Sequence, residues 1–144
     1  MLKQLATLIK LHKQTLDQMR RELAALQDGL TKVESAIIQH EVDIKEEQKL
    51  AASSLEASYM YGQYAKAAIK KRKKLQDSKK EMEGLIAIMR DKMAQEFAEQ
   101  KKYEILKRKK EEEELKERER KQTIALDEMA AVKHQRKMQV QDKP

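Results

Sequence analysis

Counting in sevens from Leu2, the chain places Leu2, Ile9, Leu16, Leu23, Leu30, Ile37, Ile44 and Ala51 at one recurring position, and every one of them is apolar. Three residues further on, the companion position holds Leu5, His12, Met19, Leu26, Val33, His40, Glu47 and Ser54. Two such positions repeating every seven residues make the seam of a coiled coil, because a helix underwound to about 3.5 residues per turn keeps that stripe facing one partner. The register holds for about seven heptads and predicts a left-handed supercoil. Polar groups dominate the companion position only at His40, Glu47 and Ser54, so the seam weakens toward its end.

The heptads fade at Ala51-Ala-Ser-Ser-Leu-Glu-Ala-Ser, where small residues and serines cluster. A reversal of the chain is expected over 52–60. Ser58 is the expected cap of the next helix, its side-chain oxygen accepting from a first-turn amide. Gly62 lies close by. A first helix over 2–51 and a second over 61–137 follow, with a disordered tail over 138–144. The second helix has a looser pattern. One position gives Tyr61, Ala68, Leu75, Met82, Met89, Glu96 and Tyr103; its expected companion gives Tyr64, Lys71, Ser78, Leu85, Lys92, Glu99 and Leu106. Ile86, Met93 and Phe97 make a further apolar strip beside it.

A reversal near residue 56 sets Leu2 opposite roughly residue 110. At about 1.5 Å per residue the paired portion is then about 75 Å long, and residues 111–144 project beyond it. The fold class is therefore all-α: a single unit, a long antiparallel two-helix coiled-coil hairpin with a projecting C-terminal helical extension.

Composition agrees. Aromatic residues make up 3% of the chain, with three Gly and one Pro, against 40% charged residues. A globular domain needs more aromatic and branched bulk, and more turn residues, than this. Disorder, the usual alternative for so charged a chain, is opposed by the regular apolar spacing. No cysteine is present, which excludes disulfides, thiolate catalysis and cysteine-based metal sites. No apolar run approaches the ~18 residues of a membrane span. Lys3, Gln4 and Lys10 interrupt the N-terminal stretch that a secretory signal would need, so a cytoplasmic location is expected.

The net charge of +7 is uneven: eight basic and eight acidic residues over 1–50, ten against seven over 51–100, and fourteen against ten over 101–144. The block Lys107-Arg-Lys-Lys-Glu-Glu-Glu-Glu sets four basic residues against four acidic ones at i,i+4, and Glu112–Lys116, Glu114–Arg118 and Glu117–Lys121 continue the ladder. Each pair contributes only ~0.2–0.5 kcal/mol, but several together hold a helix that has no packing face. Apolar residues then return as Ile124, Leu126, Met129, Ala130 and Val132.

Nothing in the chain assembles an active site. His12 and His40 stand at seam positions about 42 Å apart along one helix, too far to share a metal, and His134 is remote in sequence. There is no Gly-rich phosphate loop. The carboxylates fall on open helical faces without a pocket to tune them. The expectation is no enzyme activity, no metal and no cofactor.

Three surfaces stand out instead. Lys66, Lys70, Lys71, Arg72, Lys73 and Lys74 form a basic run with no acidic residue inside it. A solvated helix face, an acidic protein patch, and nucleic acid or a lipid surface all fit that run; no stacking aromatics accompany it, so nucleic acid is not expected. Tyr59, Tyr61 and Tyr64 crowd the turn, either plugging the end of the coil or anchoring a partner. The strip from Ile124 to Val132 has no first-helix partner in this register and suits a partner surface.

The segments Leu5-Ala-Thr-Leu-Ile-Lys-Leu-His, Leu16-Asp-Gln-Met-Arg-Arg-Glu-Leu, Tyr59-Met-Tyr-Gly-Gln-Tyr, Phe97-Ala-Glu-Gln-Lys-Lys-Tyr-Glu and Leu126-Asp-Glu-Met-Ala, taken in order and spacing, resemble the flagellar export protein FliJ family over nearly the whole chain. The resemblance implies an antiparallel two-helix coiled coil similar to the central stalk of rotary ATPases. It also implies three partners: the hexameric flagellar type III export ATPase, the cytoplasmic domain of the export gate, and empty export chaperones. Such a protein sits in the cytoplasm at the flagellar base, held at the membrane through its partners. On this footing Ile124, Leu126, Asp127, Glu128, Met129 and Val132 are candidate ring contacts, and Tyr59, Tyr61 and Tyr64 candidate gate contacts. The same physics would serve the stalk of a non-flagellar type III secretion system, and a generic scaffold coiled coil is the alternative of a different class.

Overall fold

A computed structural model describes residues 1–141. It is an all-α helical hairpin of two elements, α1 (Leu2–Ala51) and α2 (Leu55–Gln141). Packing divides the chain into two units: Lys13–Ala98, and Met1–His12 with the described part of Glu99–Pro144.

The reversal is tighter than the expected 52–60. Only residues 52–54 lie outside the helices, and the cap is Ser54, whose Oγ accepts from the Ala57 amide at 3.1 Å. Ser58 sits one turn inside α2, its amide donating to the Ser54 carbonyl at 3.0 Å. The earlier serine prevails because Leu55, Glu56 and Ala57 are all compatible with a helix, and Glu56 places a negative charge at the positive end of the helix dipole. Gly62 has ordinary helical φ and plays no part in the turn. At the other end α2 continues through Gln141, past the tail expected from 138, because nothing from Met138 to Gln141 opposes a helix. The remainder of that expected tail, 142–144, lies outside the described residues.

Along α1 both heptad lines from Leu2 to Glu47 are buried or half-buried throughout. In α2 the line Tyr61, Ala68, Leu75, Met82, Met89, Glu96 and Tyr103 is likewise covered, as expected, and Lys110 continues it. Its companion is not. The covered residues lie four positions on, at Ala65, Arg72, Lys79, Ile86, Met93, Gln100 and Lys107, while Lys71, Ser78, Leu85, Lys92, Glu99 and Leu106 are exposed. Of the expected companion line only Tyr64 is half-covered. Ile86 and Met93, first read as a side strip, belong to the seam itself; Phe97 is exposed. Rotating α2 by this one residue brings Ala65, Ile86 and Met93 under cover, and apolar burial at ~25 cal/mol per Å² decides the rotation.

Within Lys13–Ala98 the helices run antiparallel. His40 and Glu41 meet Ala68 and Arg72, whereas Gly29, earlier in α1, lies against Met82, later in α2, so the two helices run in opposite directions. Leu16, Ala68 and Ile86 are buried here. Gly29 leaves room for Met82, since a Cβ at that position would strike the Met82 Cε. In the other unit Leu5 and Ile9 are buried and the His12 ring stacks on Tyr103, with centroids 5.2 Å apart.

The polar residues on the α2 companion line each have a carboxylate within reach. Lys79 approaches Glu83 at 4.0 Å, Gln100 donates to Glu104 at 3.0 Å, and Lys107 approaches Glu111 at 3.8 Å, all one turn along their own helix. Long side chains there cover the seam with their aliphatic stems while their polar ends reach outward. Arg72 differs, reaching across to the other helix. Cover ends at Lys110. Every residue from Glu111 to Gln141 is exposed, yet the segment is helical throughout.

Candidate interaction surfaces

The extension is one exposed helix. Among the described residues its expected i,i+4 ladder forms only at Lys107–Glu111. Lys110 turns to Glu113 at 3.7 Å and Arg120 to Glu117 at 2.7 Å, both at i,i+3 spacing. The Arg120 fork engages both Glu117 oxygens, a two-point geometry that a lysine cannot match, and so takes Glu117 from Lys121. That hydrogen bond holds the Glu117 carboxyl below its ordinary pKa, with the nearby positive charge of Arg120 and Lys121 acting in the same direction.

Helical geometry separates the residues of the C-terminal strip. Leu126, Met129 and Val132 share a face, at spacings of three residues, with Ala125 and Arg136. Ile124 lies nearly opposite Leu126, two residues and about 200° away. Asp127 also turns away from Met129, whereas Glu128, one turn before Val132, borders the apolar face. The six candidate ring contacts thus divide: an apolar face of Leu126, Met129 and Val132 with Glu128 at its edge, and Ile124 and Asp127 turned away from it. All six are exposed.

The basic run also divides. Arg72 is half-buried, its Nε and Nη2 donating to the two oxygens of Glu41 at 2.8 and 2.9 Å. Lys66, Lys70, Lys71, Lys73 and Lys74 remain exposed. The antiparallel pairing of this unit, with His40 on Ala68 and Gly29 by Met82, sets residues 70–74 opposite roughly residues 36–40, a stretch of α1 without an acidic residue. Within the hairpin the structure accounts for Arg72 alone, through Glu41, and leaves the five lysines as a solvated basic face.

At the turn the tyrosines part company. Tyr61 and Tyr64 are half-buried and pack together at the end of the seam, their ring centroids 6.0 Å apart. Partial desolvation, then the negative charge of Glu47 and Asp43, raises the Tyr64 pKa above its ordinary value. Tyr59 is 84% exposed. Leu50, Leu55 and Met60, close to it in sequence, are exposed as well, which sequence reasoning missed. The signal was present: Leu50 and Leu55 fall off both heptad lines and flank the reversal, so the seam never had a use for them.

His40 is buried, with Nε2 2.9 Å from the Ala68 carbonyl; a carbonyl only accepts, so Nε2 carries the proton. His12 is engaged with Tyr103. Among the described residues no helix is long and apolar enough to cross a membrane. No protein-family model, curated protein or solved structure matches the chain.

Proposed function

We propose that this chain is a non-enzymatic stalk of the flagellar type III protein export apparatus. In this reading the extension enters and promotes the export ATPase ring, residues near the turn contact the cytoplasmic domain of the export gate, and the hairpin escorts empty export chaperones. It works in the cytoplasm, peripheral to the membrane through its partners. The observation that carries the reading is the change at Lys110 from a covered helix to an exposed one that continues unbroken to Gln141. A lone helix with an apolar face on Leu126, Met129 and Val132 fits a site that surrounds it. Ring states that bind this helix better gain population, by their difference in affinity and no more.

The test is a titration of the chain into the cognate export ATPase, following hydrolysis rate and ring assembly together. Stimulation that disappears on truncation after about residue 120 supports the stalk. No binding and no change in rate would leave a scaffold coiled coil as the better account, and stimulation of only a non-flagellar secretion ATPase would reassign the stalk to that system.

A further inference from the structure

The exposed face of the extension is complementary to itself. Glu111, Glu114 and Leu115 at its start share an arc of about 100° with Val132, Lys133 and Arg136 near its end. Laid antiparallel on a second copy, with the two-fold axis passing between Thr123 and Ile124, the same face sets Glu111 against Arg136, Glu114 against Lys133, and Leu115 against Val132. Between these layers the aliphatic stem of Arg118 meets Met129. Every pair occurs twice by symmetry, as an isologous interface requires.

The charges are free for this use. Among the described residues Glu114, Lys133 and Arg136 have no ion-pair partner, and Glu111 has only the long 3.8 Å approach of Lys107. From Met129 to Gln141 no acidic residue is present to neutralise the basic end locally. A parallel pairing would stack Glu111–Glu114 on themselves and Lys133–Lys137 on themselves, and is disfavoured.

We infer that residues 111–136 are a homodimerisation surface, pairing antiparallel with the same segment of a second copy. The inference is independent of the export reading. Were both to hold, dimerisation would cover Met129 and Val132 and so compete with any ring that takes up the extension.

Sedimentation of the full chain over a concentration series tests it. In low salt the wild type is expected to pass from monomer to dimer, with association weakening as salt rises. The Glu111→Lys/Glu114→Lys variant turns four attractive pairs repulsive and should weaken association about tenfold or more. The same is expected of Lys133→Glu/Arg136→Glu. Combining all four substitutions restores the dimer, and mixing the two double variants yields a heterodimer tighter than either alone. Leu115→Gln, which keeps helix propensity, weakens the wild-type dimer without altering charge. A chain that stays monomeric throughout, or a dimer indifferent to these substitutions while circular dichroism shows the helix intact, overturns the proposal.

Discussion

Arg72 and Glu41 meet across the two helices in a two-point contact, Nε to Oε1 at 2.8 Å and Nη2 to Oε2 at 2.9 Å, an ion pair that joins α1 to α2. Both side chains keep roughly four-tenths of their exposure, so solvent screens the pair. A double-mutant cycle with Arg72→Gln and Glu41→Gln should give a coupling of ~0.5–1 kcal/mol that shrinks with salt. Arg72→Lys should lose most of it, because an ammonium cannot occupy both oxygens in the fork geometry. Coupling near zero in low salt would show that the contact contributes no stability.

His40 is a polar residue at a position the seam would fill with an apolar one. Its Nε2–H donates to the Ala68 carbonyl, which also serves the helical ladder of α2 and is therefore not orphaned when the imidazole is removed. His40→Leu should raise thermal stability, by ~1 kcal/mol, since it adds apolar burial without stranding an acceptor. His40→Ala should lower it by leaving a void. Thermal denaturation of the two variants separates the effects; a destabilising leucine would mean that the hydrogen bond outweighs the burial.

The two helices were not equally legible, and the reason lies in their companion lines. In α1 an unbroken row from Leu2 to Ile44, accompanied by Leu5, Met19, Leu26 and Val33, admits only one rotation. In α2 the true companion line holds Arg72, Lys79, Gln100 and Lys107, whose polar ends mask the stripe, and only Ile86 and Met93 betray it. Hydropathy alone therefore put the line one residue early. The cap was displaced for a different reason: Ser53, Ser54 and Ser58 are chemically equivalent, and the helix-compatible run Leu55-Glu56-Ala57 lets α2 begin at the earlier Ser54. The candidate surfaces were legible as composition but not as geometry. Arg72 left the basic run for Glu41, and Ile124 parted from Leu126, once the helix was placed.

Gly29 permits Met82 its position. Gly29→Ala would gain ~1 kcal/mol of helix propensity but force the flexible end of Met82 aside, so little net change in stability is expected. In a Met82→Ala background the obstruction is gone, and Gly29→Ala should then stabilise by close to its full propensity gain. Thermal melts of the four proteins in this cycle check the coupling. If the alanine gain were the same in both backgrounds, Met82 would not be limiting at this site.

Acid should loosen the extension at Glu117. Its carboxyl is held below the ordinary value by the Arg120 hydrogen bond. A depressed acid pKa contributes stability that is fully present above the unfolded-state value and is lost as pH falls through the folded-state value. The Glu117 side-chain carbon, followed by NMR, should titrate below the usual carboxylate range, and Arg120→Gln should move the midpoint up toward it. A midpoint unmoved by that substitution would locate the cause elsewhere.

Deleting everything after Lys110 should leave the paired helices intact. All covered residues of α2 lie at or before Lys110, and from Glu111 onward every described residue is exposed, so the deleted segment removes almost no buried apolar area. Surface losses of this kind usually change stability by less than about 0.5 kcal/mol. The unfolding midpoint of the truncated chain should match that of the full chain in dilute, high-salt solution, where self-association is suppressed, while the helical signal in circular dichroism falls. Low salt and high concentration should then separate the two proteins, because only the full chain keeps the face of Leu115, Met129 and Val132. A truncated chain that melts well below the full one even when dilute would show that the extension folds back on the hairpin, which would undo both its use as a free stalk and its availability to a second copy.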